Sequence, residues 1–232
     1  MKVMILAGGQ GVRLKPLTYS IPKPLIPIGE KPIMEVLINL LKEQGFNDIL
    51  VSIGYKSDLI ESYFGDGKKY GVDIKYVREE KRMGTAGPLR IAKDTYNIEG
   101  SIMVINGDLL TKANLKEMAK LHENGDAAIT VGVKEDEVQI KYGVYTIENK
   151  KIIGIKEKPI IKNMISVGIN IFGPEVINMI PKDTYYDIPD LVNKALELKM
   201  NVSAFEIKEF WMAIDKLVDL EEADKIMREV KG

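Results

Sequence analysis

The feature that most restricts this chain is its opening: a five-residue apolar run, Lys2 to Leu6, cut off by Ala7-Gly8-Gly9. Its length and branching suit a buried strand of a parallel sheet. A loop rich in both glycine and cations follows, with Gly8, Gly9 and Gly11 beside Arg13, Lys15 and Lys23. Glycine permits positive φ and lets backbone N–H groups approach a ligand, so such a loop suits polyphosphate. A glycine turn after a first strand also occurs in α/β domains that bind nothing there. The cation density and the Pro22-Lys23-Pro24 that follows favour a ligand loop. Two phosphate loops are excluded. The Walker pattern needs Lys and then Ser or Thr after its last glycine, where Gly11 is followed by Val12 and Arg13; the dinucleotide fingerprint needs glycine at position 14, which is Leu14.

The remaining chain alternates strand and helix. Ile33, Met34, Leu37, Leu40 and Leu41 give a helical stripe opened by Pro32 and stopped by Gly45. Strand Ile49 to Ile53, a helix from the plausible N-cap Ser57 to Phe64, and strand Ile74 to Val77 follow. After these come a short helix beyond Gly87, strand Ile102 to Asn106, helix Leu115 to Asn124 and strand Ala127 to Val133. This spacing predicts a largely parallel sheet with helices on both faces through residue 133 or so. Shorter runs, Val144 to Ile147, Ile152 to Lys156 and Val167 to Phe172, predict antiparallel additions, before a helix to Lys199, strand Val202 to Glu206 and a final helix.

Composition narrows the chemistry. With 232 residues, 45% apolar and 29% charged, the chain can form one full α/β domain. A formal charge of −1 argues against nucleic acid or an anionic membrane as partner. No cysteine and a single histidine, His122, exclude thiolate catalysis and a histidine-rich metal site. Carboxylates and cations must do the work. The opening apolar run is too short for a signal peptide and no apolar run approaches ~20 residues, so a cytoplasmic location is expected.

The run Leu6-Ala7-Gly8-Gly9-Gln10-Gly11-Val12-Arg13-Leu14-Lys15-Pro16-Leu17-Thr18, continuing to Pro22-Lys23-Pro24, resembles the signature of sugar-phosphate nucleotidylyltransferases, with most affinity to mannose- or heptose-1-phosphate guanylyltransferases. The resemblance implies an α/β, Rossmann-like three-layer sandwich with a mixed, mainly parallel central sheet. It implies one domain over 1–232, with a nucleotide-binding half (1–133), a sugar-phosphate-binding half (134–232) and no C-terminal β-helix. The reaction implied is nucleotidyl transfer from a nucleoside triphosphate to a sugar 1-phosphate, with Mg²⁺ as cofactor and homo-oligomerisation left open. Leu6, Ala7, Gly8, Gly9 and Gly11 would wrap the triphosphate, with Arg13 on the phosphates and Lys23 near the α-phosphate and the incoming sugar phosphate. Residues 77 to 90, VREEKRMGTAGPLR, resemble the second nucleotide loop, in which Gly84 and Thr85 pack at the base and Glu79 holds the base-reading position. A carboxylate accepts from N1–H and N2–H of guanine, which favours GTP, while uridylyl, thymidylyl or cytidylyl specificity stays open.

Asp108, in Asn106-Gly107-Asp108, stands at the carboxyl end of a strand, the edge where open α/β sheets bind ligands. Magnesium takes hard oxygen donors and often only one or two protein carboxylates, and by resemblance Asp108 is its ligand. Gly143, Glu157, Lys158, Val167, Gly168 and Asn170 fall in the segments that resemble the sugar-phosphate site. Tyr186 and Asp187 border either that pocket or a packed helix entry. One departure stands out. Relatives usually read Trp-x-Asp-Ile-Gly, the Asp being the second metal carboxylate; here Trp211-Met212-Ala213-Ile214-Asp215 has alanine there and Asp215 two residues on. Residues two apart on a strand share a side, so a shift of about 6 to 7 Å is expected to deliver Asp215 to the metal. Without that carboxylate, a non-catalytic nucleotide or nucleotide-sugar sensor is the rival reading.

Overall fold

Apolar runs too short for helices become the inner strands of one sheet in the computed structural model, which describes residues 1–229. Its seven strands are β1 (Lys2–Leu6), β2 (Asp48–Ile53), β3 (Asp73–Arg78), β4 (Ile102–Asn106), β5 (Ile129–Gln139), β6 (Ile160–Phe172) and β7 (Val202–Glu206), in the order β7-β5-β6-β4-β1-β2-β3. β1 pairs in parallel with both β2 and β4, and β3 continues beyond β2. Val3, Met4, Ile5 and Ile102 to Ile105 are wholly buried, as central parallel strands covered on both faces must be.

The mixed, mainly parallel sheet is as expected, but the parallel series does not run unbroken to residue 133. β6 is antiparallel to β4 and β5 and lies between them, and β7 is parallel to β5. The reason lies in β6: Val167, Ile169 and Ile171 bury one face while Asn170 and Phe172 bury the other, so its second half needs an inner position. β5 also continues past Val133 to Gln139 through Lys134-Glu135-Asp136-Glu137, charges that the local pattern reads as loop. Pairing with Ile160–Ile165 makes them strand, and Lys162 lies 3.0 Å from Glu135 and 2.7 Å from Glu137 across the ladder.

Helices α1 (Ile33–Glu43), α2 (Ser57–Phe64) and α4 (Leu115–Asn124) pack their apolar stripes on one face of the sheet; α3 (Gly87–Tyr96), α5 (Pro174–Asn178) and α6 (Ile188–Glu197) cover the other. Ser57 is not the N-cap of α2: Lys56 takes that place at φ 53, without a side-chain capping bond. A third cluster joins Leu14, Ile26, Ile28 and Ile33 to Leu110, Ile214 and Ala223, the last on α7 (Leu217–Glu229). It ties the segment after the glycine loop to those carrying Asp108 and Asp215. Among the described residues no helix is long and apolar enough to cross a membrane.

Candidate active site

The acidic centre is built by backbone pairing. After β4 the chain turns at Gly107, whose N–H donates to the Leu6 carbonyl at 2.9 Å. A Cβ at Gly107 would lie 2.7 Å from that oxygen, so a side chain there would push the ends of β1 and β4 apart. Asp108 follows, and Leu109–Thr111 then pairs antiparallel with Trp211–Ala213, with Ala213 opposite Leu109. The Ile214 N–H donates to the Asp108 carbonyl at 3.0 Å, and the Trp211 indole donates to the Val167 carbonyl at 2.8 Å. This register brings Asp215 to the same ammonium group as Asp108. Lys23 Nζ donates to Asp108 Oδ2 at 2.5 Å and to Asp215 Oδ1 at 3.3 Å, and Arg13 Nη1 lies 3.0 Å from Asp215 Oδ2. Asp219 accepts from the backbone N–H groups of Asp215 and Lys216 at 2.8 and 2.7 Å, which fixes the turn.

The glycine loop borders the same cavity as Arg13, Lys23, Asp108 and Asp215, with Leu6, Ala7, Gly9 and Gly11 in its wall. Of its three glycines only Gly11 has positive φ, at 60°. A Cβ on Gly11 would meet Thr18 Cγ2 at 2.8 Å, and the Thr18 hydroxyl donates to the Gly11 carbonyl at 2.9 Å. Gly8 is small for a different reason: a Cβ there would stand 2.5 Å from Glu79 Oε1. Gly9 faces open space.

Glu79 begins the adjoining cavity, which Gly8, Gly84, Thr85 and Asp108 also line. Its carboxylate accepts from the Ser52 hydroxyl at 2.6 Å and from the Met83 N–H at 3.3 Å. Burial raises its pKa from the ordinary glutamate value, and those two hydrogen bonds with the nearby charge of Arg82 only partly oppose the shift. The second loop is held by the entry to α6: Tyr186 O accepts from Ala86 N, Asp187 Oδ1 accepts from the Thr85 N–H at 2.9 Å, and the Thr85 hydroxyl accepts from Ile188 N at 2.8 Å. Asp187 therefore braces the loop from the helix start and also reaches the cavity wall. Burial raises its pKa, but bonds from the Tyr185 hydroxyl and Thr85 outweigh that and leave it lowered.

Sequence reasoning missed Arg82, which lines both cavities where they meet, and Ser52, which orients Glu79. Arg82 carried a signal as the cation nearest the second glycine pair; Ser52, inside an apolar strand, carried none. In the second half of the chain Gly143 and Glu157 come together, since a Cβ on Gly143 would sit 3.0 Å from Glu157 Oε2. Lys158 is exposed at φ 42. Val167 is buried in the hydrophobic core, Gly168 packs against Asn106 at φ 72, and Asn170 is buried with its Oδ1 unpaired. These three lie inside the sheet, apart from the Gly143–Glu157 contact.

The sequence profile described as nucleotidyl transferase matches residues 2–229. The chain belongs to that family. It is 37% identical to a UTP–glucose-1-phosphate uridylyltransferase of Synechocystis, across all of this chain and 65% of that protein. It is 34% identical to a mannose-1-phosphate guanyltransferase of Saccharomyces cerevisiae, across 94% of this chain and 62% of that protein. The chain thus spans a little under two thirds of the length of these curated relatives. The crystal structure of HddC from Yersinia pseudotuberculosis superposes with a TM-score of 0.76 at 25% identity, covering 97% of this chain and 99% of that one, so the nucleotide-diphospho-sugar transferase fold is common to both.

Proposed function

We propose that the chain transfers a nucleotidyl group from a nucleoside triphosphate, GTP by preference, to a sugar 1-phosphate, releasing pyrophosphate. One observation carries this reading: Asp108 and Asp215 converge on Lys23 at the edge of the glycine loop, with Arg13 beside them. The attacking phosphate is already anionic at neutral pH, so no general base is needed. The obstacle is repulsion between reactants carrying roughly −5 to −6 together. Lys23, on the loop and between the carboxylates, holds the α-phosphate, Arg13 takes the outer phosphates, and the loop N–H groups fix the chain of phosphates for in-line attack.

The donor set fits magnesium. Two hard carboxylates share one ammonium group, so Lys23 Nζ marks a point where positive charge is favoured between them. Magnesium takes hard oxygen donors and commonly one or two protein carboxylates beside phosphate and water. Asp108 and Asp215 would hold it, and when bound it supplies charge neutralisation at the phosphates. The convergence of Asp215 and Asp108 on Lys23 supports the enzyme reading over the sensor reading.

Glu79 is the base reader in this proposal: each oxygen accepts one internal bond and keeps a lone pair for guanine N1–H and N2–H. The relatives named above include both uridylyl and guanylyl enzymes, so the base is decided by experiment. Pyrophosphate release is measured with each common nucleoside triphosphate against a panel of sugar 1-phosphates in Mg²⁺. GTP turnover with one sugar supports the reading, binding without release across the panel overturns it, and strong UTP or dTTP preference removes the role given to Glu79.

A further inference from the structure

Three cations line the phosphate cavity, and two of them are already engaged: Arg13 pairs with Asp215, and Lys23 bridges Asp108 and Asp215. Arg82 is the third. Its side chain is exposed, and among the described residues no hydrogen bond or ion pair holds it. Its charge nonetheless reaches Glu79, Tyr185 and Asp187 in the wall of the adjoining cavity. That wall carries three carboxylates, Glu79, Asp108 and Asp187, and Arg82 is the one cation in it among the described residues. A third cavity, beside the glycine loop, has Arg82 in its wall with Gly9 and Gln10. The backbone under this free side chain is fixed. The Glu79 N–H donates to the Ile53 carbonyl at 2.9 Å, Met83 is buried, and the Met83 carbonyl accepts from the Tyr186 N–H at 2.9 Å. Gly84 follows at φ 78, where a Cβ would stand 2.4 Å from the Tyr186 carbonyl oxygen. Lys81, the neighbouring cation, is committed to the Asp183 carbonyl, to which it donates at 2.9 Å.

A fixed stem with an uncommitted guanidinium, set where two cavities meet, suits an anion that spans both. We propose that Arg82 grips the outer phosphates of the bound nucleoside triphosphate and so sets the preference for triphosphate over monophosphate. The inference rests on the nucleotidyl-transfer reading of this site. A base at Glu79 and an α-phosphate at Lys23 lead the nucleotide through the junction that Arg82 lines, past carboxylates that repel it. Because Lys23 holds the α-phosphate and Arg82 shares its cavities with Gly9 and Gln10 of the loop, the phosphates beyond the first are left to it. Arg13, already paired with Asp215, shares them. The planar guanidinium presents its donors as a fork that matches two phosphate oxygens, which a lysine cannot copy.

The test is titration calorimetry of the whole chain in Mg²⁺ with GTP and GMP, repeated with UTP and UMP so that the outcome does not depend on the base. Arg82→Ala is expected to weaken triphosphate binding about tenfold, the lower end for hydrogen bonds to a charged group, and to leave monophosphate binding within about twofold. Arg82→Lys, which keeps the charge and loses the fork, falls between wild type and Arg82→Ala. Lys81→Ala removes the same charge one residue away and is expected to bind triphosphate as wild type does. Melting temperatures stay at the wild-type value, because neither exposed side chain is packed in the core. An unchanged ratio of triphosphate to monophosphate affinity in Arg82→Ala overturns the proposal. So does an equal loss for the monophosphate, which marks a contact to the base, or an equal loss in Lys81→Ala, which marks charge alone. In each of these cases triphosphate binding by wild type leaves the nucleotidyl-transfer reading standing. A wild type that binds neither triphosphate overturns both.

Discussion

Replacing Lys23 by alanine separates a binding cation from a structural one, because the two roles predict opposite responses to magnesium. The ammonium group is 13% exposed and bridges carboxylates that are 25% and 33% exposed. That places its ion pairs between exposed pairs, worth ~0.2–1 kcal/mol, and fully buried ones, whose rupture costs ~3–5 kcal/mol. About 2 kcal/mol is the expected loss of stability, a fall of roughly 4–8 °C in melting temperature for a chain of this size. Turnover should fall further, by ~10²–10³-fold, the cost of removing one charge-stabilising donor in a preorganised site. Magnesium affinity should rise, since Asp108 and Asp215 are left facing each other without their shared cation. The assay pairs pyrophosphate release at saturating substrate with thermal melts across a magnesium titration. Lys23→Ala should show the lower turnover and the larger melting shift on adding metal. Turnover within about threefold of wild type, under 1 kcal/mol of barrier, refutes the placement of Lys23 at the reacting phosphate.

Asp215→Ala should reduce turnover by ~10²–10³-fold, and adding Ala213→Asp to it should restore part of the loss, since position 213 ends the strand paired beside Asp108 and is where the resemblance expects the carboxylate; initial rates of pyrophosphate release decide. Glu79→Gln should move the ratio of kcat/KM from GTP toward UTP or dTTP. Its stability effect has a defined sign: a carboxyl with raised pKa loses stability as pH rises through its folded value, so the variant gains on wild type above that pH and not in acid, as urea melts will show. His122 is the converse. It bonds Thr130 Oγ1 at 2.9 Å and Ser101 Oγ at 3.0 Å, and burial lowers its pKa despite the charges of Glu175 and Glu123. Its neutral form therefore contributes stability above about pH 6.5 that is lost as pH falls through its lowered folded value, and His122→Gln should flatten urea-melt stability on the acid side of about pH 6.5.

What the sequence shows and what it hides divide along the range of the interactions involved. The glycine loop, strand Ile102–Asn106 and the helix Leu115–Asn124 are legible because each is set by neighbours a few residues away. Asp215 is not, because what places it is the pairing of Leu109–Thr111 with Trp211–Ala213, about a hundred residues apart, and a one-residue slip would turn its carboxylate away. Gly8 reads as a glycine kept for positive φ and close approach to a ligand, yet its φ is not positive and its smallness makes room for Glu79 at the end of another strand. The same limit explains β6, whose apolar alternation is visible but whose seat between β4 and β5 depends on which faces are still uncovered when it is added. A local pattern therefore says that a face is dry without saying what covers it. For Ile169 and Ile171 the cover is this chain's own helices, whereas Ile147 and Ile152, with the same alternation, stand 64% and 65% exposed.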